Sequence, residues 1–167
     1  KGDKNMLYLN EKDLLKVGLN WNETIDAIED AVRSLNKCDF VQPIKPYLRY
    51  RDLTNRIIAM PAFVGGKVNV AGIKWISSFP RNIDKGIPRA HSVVVLNKAE
   101  TGQPLCIINT ALLSMIRTSS VSGLMIRYFL KTRPMENINL GIIGWGPIGQ
   151  HHFKMATDIM GDKLNKI

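Results

Sequence analysis

The 167-residue chain is long enough for one domain, or for one domain and part of another, and its 45% hydrophobic and 22% charged residues are typical of a globular protein. Its net charge of +9 comes from basic residues scattered along the chain, without the aromatic–basic motifs of RNA-binding domains. This argues against a nucleic-acid partner and favours an anionic small molecule. The sequence shows neither an apolar run of about 20 residues, as a membrane span requires, nor a signal peptide. Cys38 and Cys106 are predicted to be buried thiols in a reducing compartment, and we expect a cytoplasmic protein without a membrane partner.

The N-terminal region predicts a strand followed by two helices. Residues 6–9 are strand-like, Asn10 is a residue type that caps a helix, and Gly18 is a type that ends one. Asn22 is expected to cap a second helix that runs to about Lys37. Apolar residues at spacings of 3, 4 and 3 predict the buried face of this helix, which comprises Ile25, Ile28, Val32 and Leu35. The charged residues between them predict its solvent face, which comprises Asp26, Glu29, Asp30 and Arg33.

A run of strands without intervening helices follows, which predicts a mostly antiparallel or mixed sheet. The strand-like segments are residues 47–50, 56–60, 68–77, 92–96 and 105–108. Turns are expected at Gly65-Gly66 and in the polar loop 79–88. Helical character returns near residue 110, pauses at Arg117-Thr118 and ends before Pro134. Residues 137–143 then predict another strand.

The glycine turn, residues 144–149, is the most informative motif of the chain. Gly144-x-Gly146-x-x-Gly149 follows a strand-like segment and precedes a helix-like one, which is the context of a dinucleotide-binding fingerprint. Gly144 would allow the tight turn, Gly146 would let backbone approach a pyrophosphate, and Gly149 would let the helix pack on the strand. Pro147 is tolerated in the first helical turn. The alternative is an ordinary glycine-rich turn.

Lys74 is a candidate catalytic residue because it stands among apolar neighbours in mid-strand. Alternation places Ile73 and Trp75 on one face of the strand and Lys74 on the other. A lysine in such a position is costly unless its face lines a cavity or meets a partner. A desolvated lysine can then act as a base or an acid. The alternative is an edge-strand lysine whose ammonium reaches water.

Basic side chains elsewhere are candidate anion ligands. Arg117 precedes three hydroxyl residues beginning with Thr118, where a helix start would suit a phosphate or carboxylate; the alternative is a surface arginine beside a cap. Arg49 and Arg51 are expected on one face of a strand, where one of them would meet an anion or both would be solvated. The histidines are assigned structural or surface roles, with no metal, because the adjacent His151 and His152 lack metal-ligand spacing.

These residues together resemble the ornithine cyclodeaminase/mu-crystallin family, over nearly all of the chain from Met6 onward. The specific motifs are Arg-Ile-Ile-Ala-Met-Pro at 56–61, Gly-Ile-Lys-Trp-Ile at 72–76, Thr-Gly-Gln-Pro at 101–104, Leu-Leu-Ser-Met-Ile-Arg-Thr at 112–118 and the glycine turn. Segments 6–10 and 39–49 are most similar to the siderophore-pathway enzymes of the family, which are NAD-dependent N-((2S)-2-amino-2-carboxyethyl)-L-glutamate dehydrogenases.

The resemblance implies site roles that the residues alone leave open. It assigns substrate binding to Arg49, Lys74 and Arg117, catalysis to Lys74, and cofactor binding to Thr118 and the glycine turn (Gly144, Gly146, Pro147, Ile148 and Gly149). It implies NAD as cofactor, with NADP as the open alternative, an anionic amino-acid-derived substrate and a homodimer. The family's catalytic aspartate would lie beyond Ile167.

The implied reaction is the oxidative hydrolysis of N-((2S)-2-amino-2-carboxyethyl)-L-glutamate to 2-oxoglutarate and 2,3-diaminopropionate. Alternatives are an ornithine cyclodeaminase, another amino-acid or imine dehydrogenase of the family, or a non-catalytic nucleotide-binding protein of mu-crystallin type. Cyclodeaminases resemble one another in an acidic residue just before the Met-Pro pair, where this chain has Ile57, Ile58 and Ala59. Trp145 is a bulky departure within the glycine turn.

The fold class implied is α/β, with two domains. Residues 1–134 are expected to form an α+β domain for substrate binding and dimerisation, incomplete without a C-terminal return. Residues 135–167 are expected to form the first strand and helix of a truncated Rossmann domain. Since only 18 residues follow Gly149, and the acidic residue that holds the ribose is expected about 20 residues on, we expect the front portion of a longer enzyme.

Overall fold

A computed structural model describes residues 6–167, which form two compact units. Within these residues the first unit comprises 6–17 and 31–111, and the second comprises 18–30 and 112–167. The predicted boundary after residue 134 falls inside the second unit, because the long helix before it packs with the elements that follow. The assignment of substrate-binding and nucleotide-binding roles to separate domains stays a prediction.

The first unit is built on a seven-stranded sheet in the order β1-β7-β6-β5-β4-β2, with β3 also paired to β4. Its strands are β1 (Leu7–Asn10), β2 (Phe40–Val41), β3 (Tyr47–Leu48), β4 (Arg56–Val64), β5 (Val70–Ser78), β6 (Ala90–Lys98) and β7 (Pro104–Asn109). Every pairing is antiparallel except that of β1 with β7. A 3₁₀ helix, Pro80–Lys85, occupies the predicted polar loop. The predicted mixed sheet is confirmed.

The two faces of this sheet differ in exposure. The cross-strand register places Ile58, Ser92 and Ile108 on one face, and each of these is less than 9% exposed. The opposite face carries Tyr8, which is 59% exposed, and Trp75, which is 46% exposed. The core of the first unit therefore lies against the face that carries Ile58.

The first two helices begin at asparagine caps, one of which the sequence located correctly. Helix α1 (Glu11–Val17) starts after Asn10, whose Oδ1 accepts from the Lys12 N–H at 2.8 Å. Helix α2 (Trp21–Asn36) is capped by Asn20 and not by Asn22. Asn20 Oδ1 accepts from the N–H groups of Asn22 and Glu23, and Asn20 Nδ2 donates to the Glu23 carboxylate at 3.0 Å, which forms a reciprocal cap.

The predicted apolar face of α2 is only partly buried. Ile25 is fully buried, whereas Val32 and Leu35 are each 49% exposed. The division of the chain explains the difference, because α2 contributes its residues up to Asp30 to the second unit and the rest to the first. Ser34 is the buried residue in the last part of the helix, where its hydroxyl lies 3.4 Å from the carbonyl oxygen of Gly65. The prediction that both cysteines are buried is wrong for Cys38, which lies exposed in the turn after the helix, and is confirmed for Cys106.

The second unit packs two long helices beside a short parallel strand pair. Its elements are α3 (Leu112–Thr132), β8 (Ile138–Asn139), α4 (Pro147–Met160), a 3₁₀ helix (Gly161–Lys163) and β9 (Leu164–Lys166). Strands β8 and β9 pair in parallel, so that β8–α4–β9 is a βαβ unit. The predicted single strand and helix are therefore followed by a second strand, and only residues 138–139 of the predicted strand 137–143 are paired.

The core of the second unit is assembled where three helices meet at a glycine. A Cβ at Gly123 would lie 2.6 Å from the Ile25 Cδ1 atom and 3.0 Å from the Met155 Sδ atom, so α2, α3 and α4 approach closely there. Leu124 of α3 and Met160 of α4 are also buried. Within residues 6–167, none of the helices combines the length and the apolar character that a membrane crossing requires.

Candidate functional site

The glycine turn has the geometry that its three glycines predict. Gly144 adopts a φ of +97°, a left-handed conformation that side chains disfavour. A Cβ at Gly149 would lie 2.1 Å from the Gly144 carbonyl oxygen, so the helix rests directly on the turn. Gly146 has an ordinary φ of −72°, and no described atom lies within 4 Å of where its Cβ would be. The packing of the described residues therefore explains Gly144 and Gly149, and leaves open space at Gly146.

A cleft of about 540 Å³ opens beside this turn. Gly144, Gly146, Ile148 and Gly149 line it, together with His152 of α4. The structure thus brings four of the five predicted turn residues to one cleft. Pro147 is the first residue of α4, where its fixed φ suits a helix start and its missing N–H removes no intrahelical bond.

Trp145 is directed towards α4. Its ring packs edge-on against Phe153, with the centroids 5.4 Å apart and the planes at 69°. Trp145 is 59% exposed, and it is not among the residues that line the described cleft. The bulk that departs from the family pattern therefore leaves the cleft open.

Lys74 lies in the middle of the sheet. It is flanked by Met60 of β4 and Val94 of β6, so the alternative of an edge-strand lysine is wrong. The register places it on the same face as the buried residues Ile58 and Ser92, and its side chain is half-buried. The predicted alternation, with Trp75 on the opposite face, is confirmed. On the buried face in the middle of a sheet, a lysine ammonium is costly to remove from water unless a cavity or a partner accommodates it.

Arg49 and Arg51 were predicted to lie in a strand, but both lie beyond the end of β3. β3 ends at Leu48, and Arg51 adopts a φ of +56°, which breaks the extended conformation. The Arg49 guanidinium donates from Nη1 to the Leu53 carbonyl oxygen at 2.8 Å and stacks over the Tyr47 ring at 5.6 Å. Both arginines are exposed. Arg49 is thus held in a loop by local contacts.

Arg117 and Thr118 lie within a continuous helix, and the predicted helix start at this point is wrong. α3 runs without interruption from Leu112 to Thr132. Thr118 Oγ1 donates to the Ser114 carbonyl oxygen at 2.7 Å, so its hydroxyl bonds back along the helix and caps nothing. The Arg117 side chain is exposed. Any anion that meets these residues would contact the side of a helix.

The predicted site residues are divided between the two units. Arg49 and Lys74 belong to the first, whereas Arg117, Thr118 and the glycine turn belong to the second. Among residues 6–167, no group of three or more His, Cys, Asp and Glu side chains has the arrangement of a metal site.

A polar cluster on α3 and α4 is a feature that sequence reasoning missed. His152 Nδ1 lies 2.8 Å from the Ile148 carbonyl oxygen and 3.2 Å from the Ser119 hydroxyl, and Nε2 lies 3.0 Å from the Ser122 hydroxyl. Ser119 is fully buried. The spacing of two serines by three residues on one helix was a signal for a polar partner, but the partner itself is 30 residues away in sequence.

A separate polar cleft of the first unit, about 690 Å³ in volume, contains Asp52. The Thr54 hydroxyl donates to this carboxylate at 2.7 Å, and the Thr54 N–H donates at 2.9 Å. These hydrogen bonds, with a smaller contribution from the nearby Arg81 charge, hold the pKa of Asp52 below its usual value.

The βαβ unit with its glycine turn has the arrangement that is typical of Rossmann-type nucleotide-binding folds, which defines the class of protein. Residues 6–167 match the ornithine cyclodeaminase/mu-crystallin family, and the chain belongs to that family.

Curated relatives support this assignment. The chain is 39% identical over 162 residues to N-((2S)-2-amino-2-carboxyethyl)-L-glutamate dehydrogenase of Staphylococcus aureus, a match that covers 93% of this chain and 47% of the relative. It is 32% identical over 139 residues to alanine dehydrogenase of Archaeoglobus fulgidus, covering 83% of this chain and 40% of the relative. The chain therefore spans about half the length of these relatives.

Solved structures agree on the fold. An archaeal alanine dehydrogenase dimer with bound NAD superposes with a TM-score of 0.78 at 26% identity, over 92% of this chain and 45% of that one. The Δ(1)-pyrroline-2-carboxylate reductase of Thermococcus litoralis, in complex with NADH and L-proline, gives a TM-score of 0.78 at 24% identity. This match covers 96% of this chain and 47% of the reductase chain. The predicted α/β fold class is confirmed.

Proposed function

We propose that the protein containing this chain is an NAD-dependent dehydrogenase of an amino-acid-derived amine. Specifically, it oxidises N-((2S)-2-amino-2-carboxyethyl)-L-glutamate and hydrolyses the product to 2-oxoglutarate and 2,3-diaminopropionate. The observation that carries the proposal is the 39% identity to the Staphylococcus aureus enzyme of that name over 93% of the chain. The glycine turn and the basic residues also support it.

The glycine turn fits a dinucleotide. Gly146 has no internal reason to lack a side chain, and it lines the cleft at the first turn of α4. The first N–H groups of a helix have no intrahelical partner, and the helix dipole adds a partial positive charge there. A pyrophosphate close to the Gly146 backbone would satisfy those groups. Bound NAD would accept the hydride that leaves the glutamyl α-carbon.

The basic residues fit the substrate charge. The amine substrate carries three carboxylates, and guanidinium groups bind carboxylates through paired hydrogen bonds. We assign Arg49 and Arg117 to this role. Lys74 would handle the proton lost from the amine nitrogen when the α-carbon gives up its hydride, and then the protons of the water that adds to the imine carbon. The overall change consumes water and NAD⁺ and releases NADH and one proton.

A second candidate within the family is an amino-acid dehydrogenase such as alanine dehydrogenase, favoured by the 32% identity to the Archaeoglobus enzyme. An ornithine cyclodeaminase is disfavoured by the buried, apolar Ile58 on the face that carries Lys74.

We also propose that the exposed apolar face of the sheet, which carries Tyr8 and Trp75, contacts a second copy of the protein. Exposed aromatic side chains on one sheet face are typical of an interface. The alanine dehydrogenase that superposes on this chain is a dimer. Light scattering of the whole protein and of a Trp75→Glu variant would show a dimer that weakens in the variant; a monomeric parent protein would contradict the proposal.

The activity is tested by incubating the whole protein with NAD⁺ and either the glutamate-derived amine, alanine or ornithine. NADH is followed by absorbance and the products by mass spectrometry. We expect NADH, 2-oxoglutarate and 2,3-diaminopropionate in equal amounts from the first substrate. NADH from alanine alone would support the second candidate. NAD binding without turnover of any of the three would indicate a mu-crystallin-like binding protein.

A further inference from the structure

The cluster of His152, Ser119 and Ser122 connects the helix that begins at the glycine turn to the helix beside it. The Ile148 carbonyl oxygen can only accept, so the hydrogen on His152 Nδ1 points at it, 2.8 Å away. Nε2 of the neutral ring is then an acceptor for the Ser122 hydroxyl at 3.0 Å. One imidazole therefore holds the first turn of α4 on one side and α3 on the other.

This connection is placed where it can act on the cleft. Both His152 and Ile148 line the cleft, as does Gly149, which rests on the Gly144 carbonyl oxygen. A shift of the first turn of α4 would therefore move the glycine turn itself. The buried Ser119 hydroxyl oxygen, 3.2 Å from Nδ1, can share the Nδ1 hydrogen as a second, more distant acceptor.

We propose that His152 is a positioning residue for the dinucleotide: it fixes the first turn of α4, and with it the glycine turn, in the conformation that receives the pyrophosphate. This inference rests on the proposed NAD-dependent function. It assigns to the histidine no contact with the reacting atoms. Its effect is therefore on cofactor affinity and on the order of the turn, and not on the chemical step.

The adjacent His151 provides a matched control. Its Nδ1 lies 2.7 Å from the Pro147 carbonyl oxygen, a contact within α4 alone. The two histidines thus share residue type, helix and the bond to the carbonyl four residues earlier. They differ in their contacts with α3: among the hydrogen bonds described, those of His152 reach hydroxyl groups of α3 and those of His151 do not.

The first measurement needs no cofactor. Hydrogen exchange of the peptide that covers residues 144–152 is compared in the whole protein and in His152→Ala, Ser122→Ala and His151→Ala. We expect exchange of this peptide to be faster in His152→Ala and Ser122→Ala, and unchanged in His151→Ala. Equal exchange in all four proteins would overturn the positioning role, whether or not the protein uses NAD.

The second set of measurements gives the Kd for NAD, and the separate effects of each substitution on KM for NAD and on kcat. Loss of a neutral hydrogen bond is worth about 0.5–1.5 kcal/mol, so His152→Ala should raise the Kd for NAD by roughly 2- to 12-fold through one such bond, with kcat nearly unchanged. His152→Gln, which keeps a polar group near Ser122, should recover part of the loss. If the His152→Ala variant does not fold, the same measurements on the Ser122→Ala variant test the inference. Unchanged NAD affinity in a variant whose turn exchanges faster would overturn the inference, whereas a parent protein that binds no NAD would overturn the proposed function.

Discussion

Gly146 and Gly149 lie three residues apart, and the structure predicts opposite consequences for the same substitution. Gly146→Ala adds a methyl group in open space at a φ of −72° and a ψ of 178°, which alanine adopts readily. The free energy of unfolding should stay the same or rise by about 0.4–1 kcal/mol, because alanine restricts the unfolded chain. Gly149→Ala places a methyl group 2.1 Å from a backbone oxygen of the glycine turn, which must then move.

The magnitudes separate the two variants. Overpacking costs about 1–3 kcal/mol, and the contact with a backbone oxygen places Gly149→Ala in the upper part of that range. The helix preference of alanine over glycine offsets about 1 kcal/mol, so the net loss should be about 1–2 kcal/mol. At Gly146 the methyl group would stand between the backbone and the proposed pyrophosphate. Loss of one charge-assisted hydrogen bond there, worth about 1.5–3 kcal/mol, raises the Kd for NAD by roughly 10- to 150-fold.

Thermal unfolding without cofactor, followed by calorimetric titration with NAD, measures both effects in the whole protein. Gly146→Ala should unfold like the parent and bind NAD weakly, whereas Gly149→Ala should be impaired in both respects. Parent-like NAD affinity in Gly146→Ala would refute the close approach of cofactor to the backbone. Parent-like stability in Gly149→Ala would refute the close packing of α4 on the turn.

Four further results are expected. Lys74→Ala should lower kcat by roughly 10²–10⁴-fold, the usual share of general acid–base catalysis, without weakening NAD binding. Arg117→Lys keeps the charge but loses the planar fork, so kcat/KM for the amine should fall by an amount equivalent to about 1.5–3 kcal/mol. Gly123→Ala should reduce the free energy of unfolding in urea by about 1–2 kcal/mol, because the new Cβ would lie 2.6 Å from a methyl carbon of α2. The Asp52 carboxylate should titrate by NMR below the usual aspartate range, and Thr54→Ala should raise its midpoint.

The sign of the Asp52 effect follows from its lowered pKa. The folded protein gains stability from this carboxylate at pH values above the ordinary aspartate pKa, and loses that gain as the pH falls through the lowered value. A midpoint that is the same before and after Thr54→Ala would contradict the assignment of the shift to the threonine. Lys74→Ala with parent-like turnover would likewise remove the lysine from the proposed proton transfers.

Local signals made much of the fold predictable. Asn10 capped α1 as predicted because a cap depends on residues two or three positions away. The glycine turn was recognisable for the same reason, since backbone geometry within six residues requires glycine at positions 144 and 149. Segments of alternating apolar residues without intervening helices predicted the sheet around β5 correctly.

Features decided by distant residues or by competing local bonds were not predictable. Thr118 is of a type that caps helices, yet within α3 its hydroxyl bonds to the carbonyl of Ser114, and nothing in the sequence distinguishes the two uses. The strand predicted at 47–50 is cut short because Arg51 takes a left-handed conformation. The role of His152 depends on serines 30 and 33 residues earlier in the chain, which no local pattern connects to it.

The early position of α2 in the chain has a consequence for synthesis on the ribosome. Asp26 of this helix pairs with Arg127, which follows it by 101 residues, and the buried Ile25 packs at Gly123. At a translation rate of about 5–20 residues per second, these partners emerge roughly 5–20 s after the helix does. The apolar side of the nascent helix, including Trp21, is exposed to water for that interval. Among residues 6–167, it is therefore a helical segment to which a chaperone that recognises apolar surface has time to bind.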